Sequence, residues 1–86
     1  MTWNVRIVKR AWPEGEDTFG VHEAFYDKNG KVFAITKDPV TISSEEGIAG
    51  LKSYVSLIVR AVNLALEGKV EILEYDKIPD KGAEAP

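Results

Sequence analysis

His22 and Glu23 are adjacent residues whose side chains could take part in proton transfer. His22 is the only histidine, and an imidazole can act as a general base toward a hydroxyl nucleophile. The pair lies in a segment with β character, where neighbouring side chains point to opposite faces, so it cannot form a dyad within one strand. The hydroxyl candidates are Ser43, Ser44, Ser53 and Ser56. None lies in a nucleophile-elbow motif, so we expect no catalytic residue and a protein that is not an enzyme.

Metal or cofactor binding is not predicted either. One histidine without any cysteine does not supply the ligands that usually hold zinc. An acidic group, Glu14, Glu16 and Asp17, lacks the Asp-x-Asp-x-Asp-Gly spacing of a calcium loop and indicates a solvated loop. No glycine-rich phosphate loop is present. We expect no metal site and no cofactor.

Arg6, Arg10 and Trp12 are the residues that could contact a nucleic acid. In an alternating strand, Arg6 and Arg10 share a face, and a nearby indole could stack on a base. The alternative is that both arginines only keep an outer face hydrated while Trp3 packs in the core. The net charge of −3 favours that alternative, because nucleic-acid binders usually carry a basic excess.

Three strand-like segments position these residues. Residues 3–10 alternate with one apolar face, residues 19–26 are rich in aromatic and branched side chains, and residues 32–36 form a third run before Pro39. Asp27, Asn29 and Gly30 predict a hairpin between the second and third strands. Either a two-residue turn or a three-residue loop with a bulge at Gly30 is compatible with the sequence.

Residues 43–68 predict one long amphipathic helix. Ser43 and Glu46 have the spacing of a capping box, and Gly68 supplies a left-handed end. Gly47 and Gly50 weaken the first turns, so the start is expected to slip toward Ile48. The first apolar row comprises Ile48, Leu51, Val55, Ile58, Val62 and Ala65.

A second apolar row, Tyr54, Leu57, Ala61 and Leu64, lies beside the first. Together the rows cover an arc of roughly 220°, against about 100° for a typical surface helix. A sheet can cover the first row, and we expect a second copy of the chain to cover the second row as a homodimer. Residues 69–78 could instead fold back over it within one chain. The dimer is favoured because large apolar patches are uncommon on monomers.

The element order therefore predicts an α+β fold, β-β-β-α-β, with an antiparallel sheet of three to four strands on one long helix. Residues 1–78 are expected to form a single domain, and residues 79–86 a disordered tail without an apolar anchor. No signal peptide is recognised, and the most apolar window, residues 54–66, is too short to span a bilayer. A cytoplasmic protein without a membrane partner is expected.

The segment 21–27 (VHEAFYD), Gly30 and the segment 36–40 (TKDPV) before a helix resemble a group of short bacterial proteins without an assigned activity. The resemblance covers about residues 3–66. More remotely, the β-β-β-α order is similar to the HicB antitoxins, although residues 36–44 lack their Pro-Asp-Leu-Pro-Gly-Cys-like segment. The resemblance implies a fold and a bacterial cytoplasmic context, and no catalytic residue transfers. We expect a binding or regulatory module with a protein partner, and a nucleic-acid binder is the alternative.

Overall fold

Five strands and one long helix make up residues 2–83, which are the residues described in a computed structural model. In chain order the elements are β1 (Thr2–Arg10), β2 (Thr18–Tyr26), β3 (Val32–Thr36), α1 (Gly47–Leu66), β4 (Leu73–Glu74), a 3₁₀ turn (Tyr75–Lys77) and β5 (Asp80–Ala83). The α+β class and the order of the first four elements are confirmed.

All five strands lie in one mixed sheet, in the order β4-β1-β2-β3-β5. The centre is antiparallel: β1 pairs with β2 from Thr2↔Tyr26 to Arg10↔Thr18, and β2 pairs with β3. Both edges are parallel, since β4 pairs with β1 and β5 pairs with β3. The sheet is thus one strand larger than the sequence predicts, and mixed in direction.

The hairpin between β2 and β3 has the three-residue loop with a bulge, one of the two forms that the sequence allows. The backbone N–H of Asp27 donates to the Lys31 carbonyl at 2.8 Å, and the N–H of Gly30 donates to the Asp27 carbonyl at 3.0 Å. Gly30 has φ 78°, a left-handed conformation that glycine adopts without a Cβ penalty. The Asp27 carboxylate also accepts bonds from the N–H groups of Asn29 and Lys31, which fixes the turn.

The C-terminal segment differs most from the sequence prediction. Residues 69–75 alternate and were expected to form a fourth strand or an extended arm, but only Leu73 and Glu74 form β4, and the chain then crosses to the far edge of the sheet. Residues 80–83, which were expected to belong to a disordered tail, form β5. Backbone pairing with β3 stabilises this polar segment, and Lys81 Nζ anchors it by donating to the Ile78 carbonyl at 2.8 Å. Residues 84–86 lie outside the described residues.

We call residues 73–83 the strap, because they run from one edge of the sheet to the other. Leu73 and Ile78 of the strap are buried against Val8, Ala24 and Ile35, one from each central strand. The cluster contains no helix residue. The tightest core therefore lies between the sheet and the strap, on the face opposite helix α1.

Helix α1 ends as predicted, and its start at Gly47 agrees with the expected slip from Ser43 toward Ile48. Its C-terminal turn is a Schellman motif: Gly68, with φ 72°, donates to the Ala65 carbonyl, and the N–H of Lys69 donates to the Leu64 carbonyl. The predicted capping box at Ser43 is wrong, because the helix begins at Gly47 without a side-chain cap. Gly47 has φ 78°, so a helix that started at Ser43 would be interrupted directly after Glu46, the last residue of the box.

If the strap is part of the core, Ile78→Ala should lower the free energy of unfolding by about 3 kcal/mol, through lost burial and the cavity left behind. Urea unfolding followed by circular dichroism measures this. Ile42→Ala is the control, because Ile42 is exposed in the connection before α1 and its truncation should cost less than about 0.5 kcal/mol. Equal effects of the two substitutions would contradict the strap's place in the core.

Candidate functional site

A buried polar cluster joins β2 and β3 of the sheet to helix α1. Its members are His22, Glu23 and Thr36, all buried, together with Tyr54 of α1. The Thr36 carbonyl accepts a hydrogen bond from His22 Nδ1 at 2.9 Å, so the proton of a neutral imidazole resides on Nδ1. The Thr36 hydroxyl accepts from the Glu23 N–H at 3.3 Å and donates to the Asp38 carbonyl at 3.0 Å.

His22 and Glu23 point away from each other, as strand alternation predicts. His22 lies on the strap side of the sheet, with its ring centroid 6.4 Å from that of Tyr75. Glu23 lies on the helix side, where the Tyr54 hydroxyl donates to its Oε1 at 3.4 Å. The two side chains belong to different contacts and make no proton-transfer pair.

Glu23 is the least satisfied polar residue of this cluster. It is only 7% exposed, and its Oε2 has no hydrogen-bond partner among the described residues. Burial disfavours the charged carboxylate and raises the pKa of Glu23, while the hydrogen bond from Tyr54 lowers it by a smaller amount. Burial, followed by the nearby Glu23 charge, also raises the pKa of Tyr54.

An open polar cleft of about 510 Å³ borders this cluster, between the end of β3 and the start of α1. Asp38, Thr41 and Ser43 line it together with Glu23 and Tyr54. Glu23 Oε2 is sealed from solvent at the cleft wall. One carboxyl oxygen thus contacts the helix through Tyr54, and the other has no hydrogen-bond partner among the described residues.

The predicted nucleic-acid contacts are engaged within the chain. Arg6 donates to the Tyr26 hydroxyl at 2.8 Å and to the Glu71 carbonyl at 2.9 Å. The Arg10 guanidinium lies 4.1 Å from the ring centroids of both Trp12 and Tyr75, between the two rings. The face expected to be hydrated is the one that the strap crosses, so both arginines are half-buried.

The row predicted as a dimer contact is divided between two environments. Tyr54, Ala61 and Leu64 are half-buried on the side of the helix that faces the sheet, whereas Leu57 is 46% exposed. The segment from Leu73 onward packs on the other face of the sheet and does not cover this row, whereas Val70 and Glu71 line a small cavity together with Ala61 and Leu64. That Tyr54, Leu57, Ala61 and Leu64 form a contact between two copies stays a prediction.

A different apolar stripe on α1 is exposed instead. None of the helix residues is fully buried. The large exposed side chains of the stripe are Ile48, Val55, Val59, Val62 and Leu66. We call these five residues the outer stripe. Three of them belong to the row that was expected to face the sheet. The other three members of that row, Leu51, Ile58 and Ala65, are half-buried together with Tyr54, Ala61 and Leu64, so the sheet contacts the boundary between the two rows.

By length and composition alone, α1 is one helix apolar enough to cross a membrane. This 20-residue helix is longer than the window that the sequence suggested. The same test is passed by the buried core helices of soluble proteins; α1 is not buried, although one flank of it contacts the sheet. The finding is weak evidence for a membrane span.

The acidic loop residues do not converge on a metal site. Asp17 pairs with Lys9 at 3.3 Å on the surface. Across residues 2–83, no group of three or more histidine, cysteine or acidic residues is arranged to hold a metal ion.

No protein-family model, curated protein or solved structure matches this chain. The function is therefore inferred from its own contacts and surfaces.

The contact between Glu23 and Tyr54 and the outer stripe are the features that sequence reasoning missed. The sequence contained a signal for the contact between Glu23 and Tyr54, because Glu23 interrupts the alternating apolar residues Phe19, Val21 and Phe25 on β2. A charge in such a series predicts either an exposed position or a buried polar contact.

The raised pKa of Glu23 predicts that stability falls as pH rises. In the unfolded chain, Glu23 releases its proton at the ordinary carboxyl pKa, whereas in the folded protein it retains the proton up to a higher pKa. Between these two pKa values the folded state binds more protons than the unfolded state, so the stability of the folded state falls as pH rises. Relative to Glu23→Gln, the native protein should lose about 1.4 kcal/mol for each unit of pKa elevation as pH rises from 4 to 8. Urea unfolding of both proteins at each pH measures the difference.

Glu16→Gln serves as the control, since Glu16 is an exposed loop residue whose replacement should give no such trend. A native-minus-Gln difference that is flat, or that rises with pH, would show that Glu23 is not held in its neutral form.

Proposed function

We propose that this protein is a small, non-enzymatic cytoplasmic binding module that forms a homodimer and regulates another macromolecule, in the manner of HicB-like antitoxins. The outer stripe of α1 is the observation that carries the proposal. Exposed side chains of this size in one continuous row are typical of interaction surfaces, because they cost solubility unless a partner covers them.

The arrangement of the core supports this interpretation. The strap and the sheet bury a complete apolar cluster without any contribution from the helix. The helix is attached through half-buried side chains and the hydrogen bond between Tyr54 and Glu23. Its outer side is thus not needed for the core and is available to a partner.

The nucleic-acid alternative has less support. Binding through Arg6 and Arg10 would require their guanidinium groups to leave the Tyr26 hydroxyl and the Trp12–Tyr75 sandwich. Trp12 also has a hydrogen-bond partner within the chain, because its indole N–H donates to the Thr18 hydroxyl at 3.0 Å.

Sedimentation equilibrium of the native protein tests the homodimer. Above about 100 μM, a concentration at which even weak association is visible, we expect twice the chain mass of 9.5 kDa, falling toward one chain mass on dilution. A single-chain mass throughout would overturn the homodimer.

A titration that follows the fluorescence of the two tryptophans, Trp3 and Trp12, with single-stranded and duplex DNA and RNA at 50 mM and 200 mM salt tests the alternative. We expect no salt-dependent binding, because the arginines already have partners within the chain. Affinity that falls steeply with salt would favour the nucleic-acid function instead, since each phosphate contact releases counterions.

A further inference from the structure

We propose that a second copy of this chain packs on the outer stripe in an antiparallel, two-fold arrangement, with Ile48 of each copy inserted into an apolar groove at the other end of its partner's helix. The inference rests on the proposed homodimer and specifies its surface, its direction and its register.

The outer stripe has the spacing of a coiled-coil seam. With Lys52 included, positions 48, 52, 55, 59, 62 and 66 alternate in steps of four and three, which is a repeat of 3.5 residues. Four of the five apolar members are β-branched, and such side chains have few rotamers to lose when they pack. A seam of this period can pair with the matching seam of a second helix.

An apolar groove of about 490 Å³ lies at the C-terminal end of this seam. Val62 and Leu66 of the outer stripe form one wall, and Ile7, Phe19 and Ile72 are among the residues that complete it. Because the stripe supplies part of the groove, seam and groove are one continuous surface.

Ile48 is the residue that matches this groove. It is 85% exposed at the opposite end of the same stripe, about 27 Å from Leu66 along the helix axis. A two-fold axis near the middle of the helix places Ile48 of one copy beside Leu66 of the other, and does so twice. The same register sets Val55 against Val59 and Lys52 against Val62, so all six seam positions are paired. The surface is therefore complementary to itself, as a two-fold interface requires.

Charge also favours the antiparallel direction. Lys52 is the one charged residue of the seam, and a parallel pair would place the two Lys52 ammonium groups side by side. In the antiparallel register they lie about 15 Å apart along the axis, and each long side chain can extend to water. The helix dipoles also oppose each other in this direction.

The exposed area is sufficient for a stable dimer. The outer stripe with Phe19 and Ile72 leaves exposed the equivalent of about four whole apolar side chains per copy, or about 400 Å² at roughly 100 Å² each. Since interfaces are about 60% apolar, two copies would bury about 1,300 Å² in total. This lies in the range of specific protein–protein interfaces.

Val59→Asp and Leu57→Asp form a matched pair for the test. The two residues are 51% and 46% exposed, but two positions along a helix separate them by about 200°. We expect Val59→Asp to raise the dimer dissociation constant at least 100-fold in sedimentation equilibrium, and Leu57→Asp to change it less than threefold. Circular dichroism checks that both variants keep the helix.

Cross-linking tests the direction, and the natural chain has no cysteine to interfere. Ile48→Cys and Leu66→Cys variants are treated with a short bismaleimide, separately and mixed. Antiparallel packing predicts a cross-linked dimer only in the mixture. Cross-linked dimers from each variant alone would indicate parallel packing and overturn the proposal.

The outcomes separate this inference from the proposed function. A dimer that Leu57→Asp dissociates and Val59→Asp does not would overturn the outer-stripe interface while leaving the homodimer in place. A single-chain mass for the native protein would overturn both.

Flotation with neutral phosphatidylcholine vesicles and with anionic phosphatidylcholine–phosphatidylserine vesicles tests whether the outer stripe binds a lipid surface instead of a second copy. We expect no binding. Binding that Val59→Asp abolishes would assign the stripe to a lipid surface.

Discussion

The contact of Leu73 and Ile78 with Val8, Ala24 and Ile35 is the interaction on which the rest of this structure depends. It closes one face of the sheet with eleven residues of chain, residues 73–83, and it joins both edges of the sheet through β4 and β5. A domain of this size buries a modest share of its surface, so the location of its tightest cluster decides which parts are firmly held. Here that cluster is on the strap side.

Helix α1 is left with a smaller structural role. It covers the other face of the sheet through one flank, and the buried carboxyl group of Glu23 meets Tyr54 there with one oxygen unsatisfied among residues 2–83. A buried polar contact of this kind orients a helix better than it stabilises one. The outer flank keeps its row of branched side chains toward solvent. The weak attachment and the exposed stripe are therefore two consequences of one arrangement, and both fit a module whose helix takes part in association.

Local signals in the sequence predicted the local structure well. Asn29 and Gly30 predicted the hairpin and Gly68 predicted the helix end, because in each case glycine is needed for a left-handed backbone conformation. The alternation of β1 and β2 likewise predicted which side chains share a face. These features depend on neighbours in the chain, and the α+β order followed from them.

The features that depend on distant contacts were not predictable in the same way. β5 is polar and pairs through its backbone, so residues 80–83 carry no side-chain pattern that distinguishes a strand from a tail. Because β5 was not predicted, the strap that crosses the sheet was not predicted either. The face of β1 that carries Arg6 and Arg10 was therefore expected to be hydrated. The rotation of α1 on the sheet was ambiguous because its apolar arc is wide enough for two orientations.

Hydrogen exchange at two protein concentrations tests the central claim most directly, because it reports the opening of each segment separately. The account predicts that amides of β3 and β5 are equally protected at low and high concentration, while those of α1 gain protection as the concentration rises. Rapid exchange in β5, or helix protection that does not change with concentration, would contradict it.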